Sequence, residues 1–298
     1  MQNAHDMTPS SIVHPDSRQP AWKWLLTLLA LWGLLALAGC HGTEHGDGHA
    51  DGDGDEHGGE EHDEMAGHDD DGDSEPYDAP FDAPGFESER PNTLTDAERD
   101  AGWALLFDGR TTAGWRGFKS DTMPDGWAIE DGTIARADGG GDIITEGQYD
   151  DFELRLQWKI APAGNSGIFF HVTEDTNAVY MTGPEMQVLD NVGHPNGKDP
   201  KTSAASNYAL HAPTKDMTRP VGEWNQVFLR VHEDRVEHWL NGERVVHYTL
   251  GSPEWEALVA DTKFADWPGY GRRGKGHIAL QDHSDPVWYR DIKVRRLE

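Results

Sequence analysis

The stretch WNQVFLRVHEDRVEHWLNGERVVHYTL, residues 224–250, decides the fold. It holds three short apolar runs interrupted by polar residues, each of strand length. Glu233-Asp234 lies near the turn of one predicted hairpin. Asn241-Gly242 marks a second, because Asn-Gly suits a type I′ turn, which needs positive φ at both central residues. The same texture runs from about Gly102 to Glu298, in GWAIEDGTIARA, DFELRLQWKI, SGIFFHV, EMQVLD, HIALQDH and VWYRDIKVRRL. Gly, Asp, Asn and Pro punctuate these runs, and few helical patterns intervene. This predicts an all-β sandwich of antiparallel sheets. Two short helices are expected. One follows Thr95, an N-cap with Glu98 three residues on. The other follows Ser252, with Pro253 in first position and Trp255, Leu258 and Val259 on one face.

The rest of the chain has a different composition. Of the formal charge of −29, residues 41–100 supply −20, with 22 Asp/Glu against Arg90 and Arg99. No basic face suited to nucleic acid is present. Residues 41–76 are almost wholly Gly, Asp, Glu and His, and cannot bury enough apolar surface to fold. They read as a disordered, acidic tether, and the linker extends to residue 100. His41, His45, His49, His57, His62 and His68 recur among its carboxylates. The tract 41–73 is therefore a weak metal-capture candidate without fixed geometry. Before it, Lys23 and the apolar run 25–40 read as a secretory signal ending in LAGC, residues 37–40. LAGC resembles a bacterial lipobox. That implies cleavage after residue 39, lipidation of Cys40, and a domain anchored to a bacterial membrane, the outer one by preference, facing periplasm or exterior. As Cys40 is the only cysteine, no intrachain disulfide framework exists.

One strand carries the clearest candidate site. In GPEMQVLDN, residues 183–191, alternation places Glu185 and Gln187 on one face and Asp190 on the other. A single bulged residue would gather all three. In GNSGIFFHV, alternation sends Ser166, Ile168 and Phe170 to the core and Asn165, Phe169 and His171 to the opposite face. In GHIALQDH it sends Ile278 and Leu280 inward and His277, Gln281 and His283 outward. In WYRDIKV, Tyr289, Asp291 and Lys293 oppose Trp288, Arg290 and Ile292. His277 and His247 read as surface residues. His194 and Lys198 lie in a polar loop after the Glu185 strand, where function often resides. Trp239 is placed either in the core or against a sugar face.

The order of GWALLFDGRTTAGW, GNSGIFFHV, GPEMQVLDN, GEWNQVFLRV, VEHWLNGERVV and GHIALQDHSDPVWYRDIKVRRL is similar to the 3-keto-disaccharide hydrolase domain family, over residues 101–298. SAASNYALHAP, residues 203–213, follows the family pattern only loosely. The resemblance implies a concanavalin A-like jelly roll whose curved sheet binds carbohydrate, and cleavage of glycosides oxidised at C3. A C3 ketone acidifies the C2 proton, so a base can start β-elimination of the aglycone, and water can add afterwards. Glu185 is then the expected base, and Asp190 the acid or a metal ligand. His283, Gln281 and Asn165 would position the ketone, with His171, Gln187, His194, Lys198 and Trp239 as further substrate contacts. A divalent cation bridging the C2 hydroxyl and C3 carbonyl would lower the barrier, with Asp190 and His283 as its candidate ligands. The sequence has no compact metal motif, and no nucleotide or organic cofactor is expected. Sandwich glycosidases of the laminarinase type space their carboxylates as Glu185, Gln187 and Asp190 are spaced here. A conventional hydrolase of unoxidised glycans and a non-catalytic carbohydrate-binding module therefore stand as alternatives.

Overall fold

The computed structural model describes residues 90–137 and 139–298. The expected signal peptide, Cys40 and the His-rich tract lie outside the described residues. Helix α1 (Asp96–Asp100) opens the fold, with a capping box between Thr95 and Glu98. Strands β1 (Ala104–Leu105), β2 (Trp115–Gly117), β3 (Trp127–Glu130), β4 (Thr133–Arg136) and β5 (Ile143–Thr145) follow. Next come β6 (Phe152–Ile160), β7 (Asn165–Val172), β8 (Glu185–Leu189), β9 (Asn225–His232), β10 (Arg235–Leu240) and β11 (Glu243–Thr249). Helix α2 (Pro253–Ala260) precedes β12 (His277–Leu280) and β13 (Val287–Arg296). Ser252 caps α2 by accepting the Trp255 N–H, with Pro253 in its first turn. Among the described residues no helix is long and apolar enough to cross a membrane.

Every ladder is antiparallel. One sheet runs β11-β10-β9-β6-β13-β4-β3, with β1 also on β13; the other runs β2-β5-β12-β7-β8. The two make a jelly-roll sandwich of the concanavalin A-like kind. Both hairpins in 224–250 form as two-residue turns with positive φ, at Glu233 (49°) and Asp234 (64°) and at Asn241 (52°) and Gly242 (88°). Between the sheets lies one core, in which Leu154, Leu156, Ile168, Phe170, Val227, Leu229 and Ile278 are all fully buried. A smaller cluster sits on the opposite face of the five-stranded sheet: Ile144, Phe169, Val172 and Ala279, covered by Val179 from a 3-10 turn.

Two bulges overturn the strict alternation expected from sequence. The β7–β12 register shifts between His277 and Ala279, and His171 takes φ 53°. Phe170 and His171 therefore both turn toward the core, where the His171 ring packs edge-on to Phe152 and Phe170. The β13–β6 register shifts between Arg290 and Lys293, with Asp291 at φ 53°. As a result Tyr289 and Ile292 both reach the core, although strict alternation opposes them.

Candidate active site

Register alone assembles the site. In β7 and β8, Phe169 pairs with Glu185 and Gly167 with Gln187. In β12, Ala279 pairs with Phe169 and Leu280 with Ile168, and the Gln281 N–H donates to the Gly167 carbonyl. In β5, Ile144 pairs with Ala279 and Ile143 with Leu280. Ile143, Leu280 and Ile168 belong to the core. Directly opposed residues share a face, so Glu185, Asn165, Gln281 and, one step beyond the β5 ladder, Asp142 share the face turned away from it.

Gly167 makes the room. A Cβ there would collide with the Glu185 carboxylate, which lies over this glycine. Glu185 is 8% exposed, and among the described residues no group donates a hydrogen bond to its carboxylate. Burial pushes its pKa up to about 8; the Lys263 ammonium works against the rise and the Asp142 charge adds to it. Asp142 is raised to about 6, again chiefly by burial. It differs in having a donor, because the Asp282 N–H gives it a 2.9 Å hydrogen bond, and His283 favours its charged form. The Tyr270 hydroxyl is buried without a hydrogen-bond partner, and the Glu185 charge helps hold it protonated. The side-chain amide oxygens of Asn165 and Gln281 are also buried and unpartnered, which suits them to accept from ligand hydroxyls. Beside Asp142 opens a cleft of about 310 Å³ lined also by Phe118, Gly140, Asn177 and Ala178, at the lower end of the range for small-molecule sites, about 300–1,000 Å³.

The other sequence candidates divide. His283 is exposed and near Asp142, with the His194 ring 6.4 Å away and edge-on. His194 accepts the Asn196 N–H at Nδ1 and starts the 3-10 turn Pro195–Lys198, on which Lys198 is exposed. Asp190 does not join Glu185, because β8 carries no bulge and ends at Leu189. Its carboxylate accepts N–H groups from Ala163 (2.7 Å), Val192 (3.0 Å) and Gly193 (3.0 Å). Burial opposes its charge, but these donors hold its pKa below the usual value, so it organises a turn and is no proton donor. Gln187 faces the right way yet is 1% exposed, with its amide on the Thr202 carbonyl at 3.4 Å. The segment 203–208 seals it there: the Gln187 N–H donates to the Ser206 carbonyl, and the Gln187 carbonyl accepts the Ala205 N–H.

His171 is buried, its Nε2 on the Asp150 carbonyl at 2.8 Å, so the bulge removes it from the site. Trp239 is neither core nor site. It lies on β10 in the other sheet, edge-on to Phe228, with its indole N–H on Glu237. His277, expected at the surface, is 4% exposed and bonded to the Thr145 carbonyl at Nδ1, whereas His247 is exposed as expected. Of the two expected metal ligands, the Asp190 carboxylate accepts three backbone N–H groups, and among the described residues no three His, Cys, Asp or Glu are grouped to hold a cation. Asp142, Lys263 and Tyr270 are the residues the sequence reading missed. GGGDIIT carries the Asp142 signal, an acid in phase with Ile144, but nothing in the sequence shows that β5 pairs with β12.

Residues 102–295 match the model of the 3-keto-alpha-glucoside-1,2-lyase-like domain. A 3-keto-disaccharide hydrolase of Bacteroides thetaiotaomicron is 36% identical over 229 residues, covering 66% of this chain and 79% of that protein. A crystal structure from Parabacteroides distasonis, of a protein assigned provisionally to the glycosyl hydrolases, is 33% identical with a TM-score of 0.66, covering 70% of this chain and all of that one. A second from the same organism, with the same provisional assignment, is 26% identical with a TM-score of 0.53, covering 65% and 99%. The motif order, the sandwich and these matches agree, and the chain belongs to the family of 3-keto-alpha-glucoside-1,2-lyase-like domains.

Proposed function

We propose that this protein cleaves 3-keto-glycosides by removing the C2 proton and expelling the aglycone from C1. The observation that supports it is Glu185, a carboxyl buried over Gly167 with no donor among the described residues. Elimination needs two proton transfers. A base takes the C2 proton, and the C–H electron pair passes into the C3 carbonyl as an enolate. The enolate then forms the C1–C2 double bond while the C1–O pair leaves with the aglycone, whose oxygen takes a proton. Water adding across the new double bond completes a net hydrolysis.

Glu185 fits the second transfer better than the first, which it was expected to perform. A desolvated carboxyl held at about 8 keeps its proton at neutral pH, the condition for a general acid. Asn165 and Gln281 hold the sugar, and His283 and His194 border it. The lipobox-like LAGC supports an anchored position outside the inner membrane as part of the same proposal. The decisive experiment compares a 3-keto-glucoside with its unoxidised parent by mass spectrometry of the products. The proposal expects aglycone release from the ketone alone, with a transient sugar product short by one water. Equal cleavage of both substrates, or of neither, defeats it.

A further inference from the structure

The structure assigns the C2 base to Asp142: we propose that its carboxylate takes the C2 proton while Glu185, on the same face of the sheet, protonates the departing oxygen. This rests on the 3-keto-glycoside reading and names the group that reading leaves open.

Position carries the assignment. Asp142 continues the β5–β12 register opposite Gln281, which in turn stands opposite Gly167. Two inter-strand steps separate the Asp142 backbone from Gly167, about 10 Å. Glu185 leans over Gly167, and Asp142 stands on the same face of the sheet, where it borders the cleft beside Phe118 and Gly140. Gln281 lies between them with its side-chain amide oxygen unpartnered. A sugar resting on Gln281 would thus present one bond to each carboxyl.

The two environments differ in the way an acid and a base require. Asp142 is half-buried; burial and the Asp282 charge raise its pKa, while the Asp282 N–H and His283 lower it. Glu185 is more deeply buried and has only the exposed Lys263 as a nearby cation. A hydrogen-bond donor favours the ionised carboxylate, and a dry pocket without one favours the protonated form. The Asp282 side chain is spent elsewhere, on Arg136 and the Gly140 and Gly141 N–H groups. It fixes the turn and leaves proton transfer to Asp142.

The balance is closed. The C2 proton goes to Asp142, the C2–H pair becomes the C1–C2 π bond, and the C1–O pair and the Glu185 proton leave with the aglycone. No oxidant, reductant or co-reactant is needed.

The test separates the transfers in the full-length protein, using D142N, E185Q and H283Q. The amide that D142N introduces keeps an oxygen for the Asp282 N–H, and circular dichroism melts confirm folding of each variant. C2 proton exchange into D2O is followed by NMR with methyl 3-keto-glucoside, a poor leaving group, and turnover is followed with 4-nitrophenyl 3-keto-glucoside, a good one. D142N should lose about 10²–10⁴-fold in both exchange and turnover, the usual worth of a general base. E185Q should still exchange C2, still turn over the nitrophenyl substrate, and fail on the methyl one. Exchange at the parental rate in D142N overturns the assignment. So does exchange lost in H283Q with less than a tenfold loss in D142N, because Asp142 would then only orient the histidine. A parent protein that neither exchanges nor cleaves either ketone brings down the proposed function itself, and this assignment with it.

Discussion

At the scale of the residue, one missing side chain creates the site. The place Glu185 occupies over Gly167 is the place a methyl group would take. Gly167→Ala should therefore displace the carboxyl while leaving the strands intact, since the backbone there is ordinary β and the nearest atoms are those of one flexible side chain. Activity on a 3-keto-glycoside should fall about 10²-fold, the cost of a misplaced catalytic group. Stability in urea should shift by less than about 1 kcal/mol. A large loss of stability with activity intact would contradict this account of the glycine. The pair of carboxyls also sets a pH profile. Asp142 must be ionised, so kcat/KM should rise as pH passes upward through about 6. Glu185 must be protonated, so it should fall above about 8. The limbs belong to the coupled pair; in initial-rate measurements D142N should erase the acid limb, and the alkaline limb should appear with the methyl substrate, which needs the acid, and be absent with the nitrophenyl one.

At the scale of the element, polar pairs fasten the margins that the apolar core does not reach. Lys293 of β13 is 2% exposed and bonds Glu98 of α1 at 2.9 Å and Asp291 at 3.3 Å. Arg155 of β6 approaches Glu98 at 3.5 Å. Asn92 and the Asp291 turn exchange hydrogen bonds, which seats the bulge that sends Ile292 inward. The sequence assigned residues 92–100 to the linker, but these bonds attach them to the sandwich. Lys293→Met keeps the packing and strands two carboxylates in a buried place. It should cost about 3–5 kcal/mol, read as a lower midpoint in a denaturant titration. A midpoint within error of the parent would show the cluster to be better hydrated than its burial indicates.

At the scale of the whole molecule, one sheet of the sandwich supplies the four candidate site residues. Glu185, Asp142, Gln281 and Asn165 come from β8, β5, β12 and β7, or from the residue next to such a strand, all in one sheet. None comes from the acidic tract. Deleting residues 41–76 should therefore leave kcat/KM on a 3-keto-glucoside unchanged within error, measured on purified protein. A large loss would give the tract a part in catalysis.

Much of this protein was legible in the order of its residues. Alternating runs, Asn241-Gly242, the Thr95–Glu98 box and the Ser252-Pro253 start are local signals, because hydrogen bonds within a few residues enforce them. They gave the strands, turns and helices, and GPEMQVLDN gave Glu185. What the chain alone could not show was which strands lie side by side. Pairing β5 with β12 brings Asp142 toward Glu185, and that depends on chain closure over more than a hundred residues. The bulges at His171 and Asp291 were equally hidden, since an extra residue in a ladder is a compromise between two partners. Burial, which raises the Glu185 pKa, belongs to the tertiary structure for the same reason: a pKa answers to the water and charges that distant segments exclude or supply.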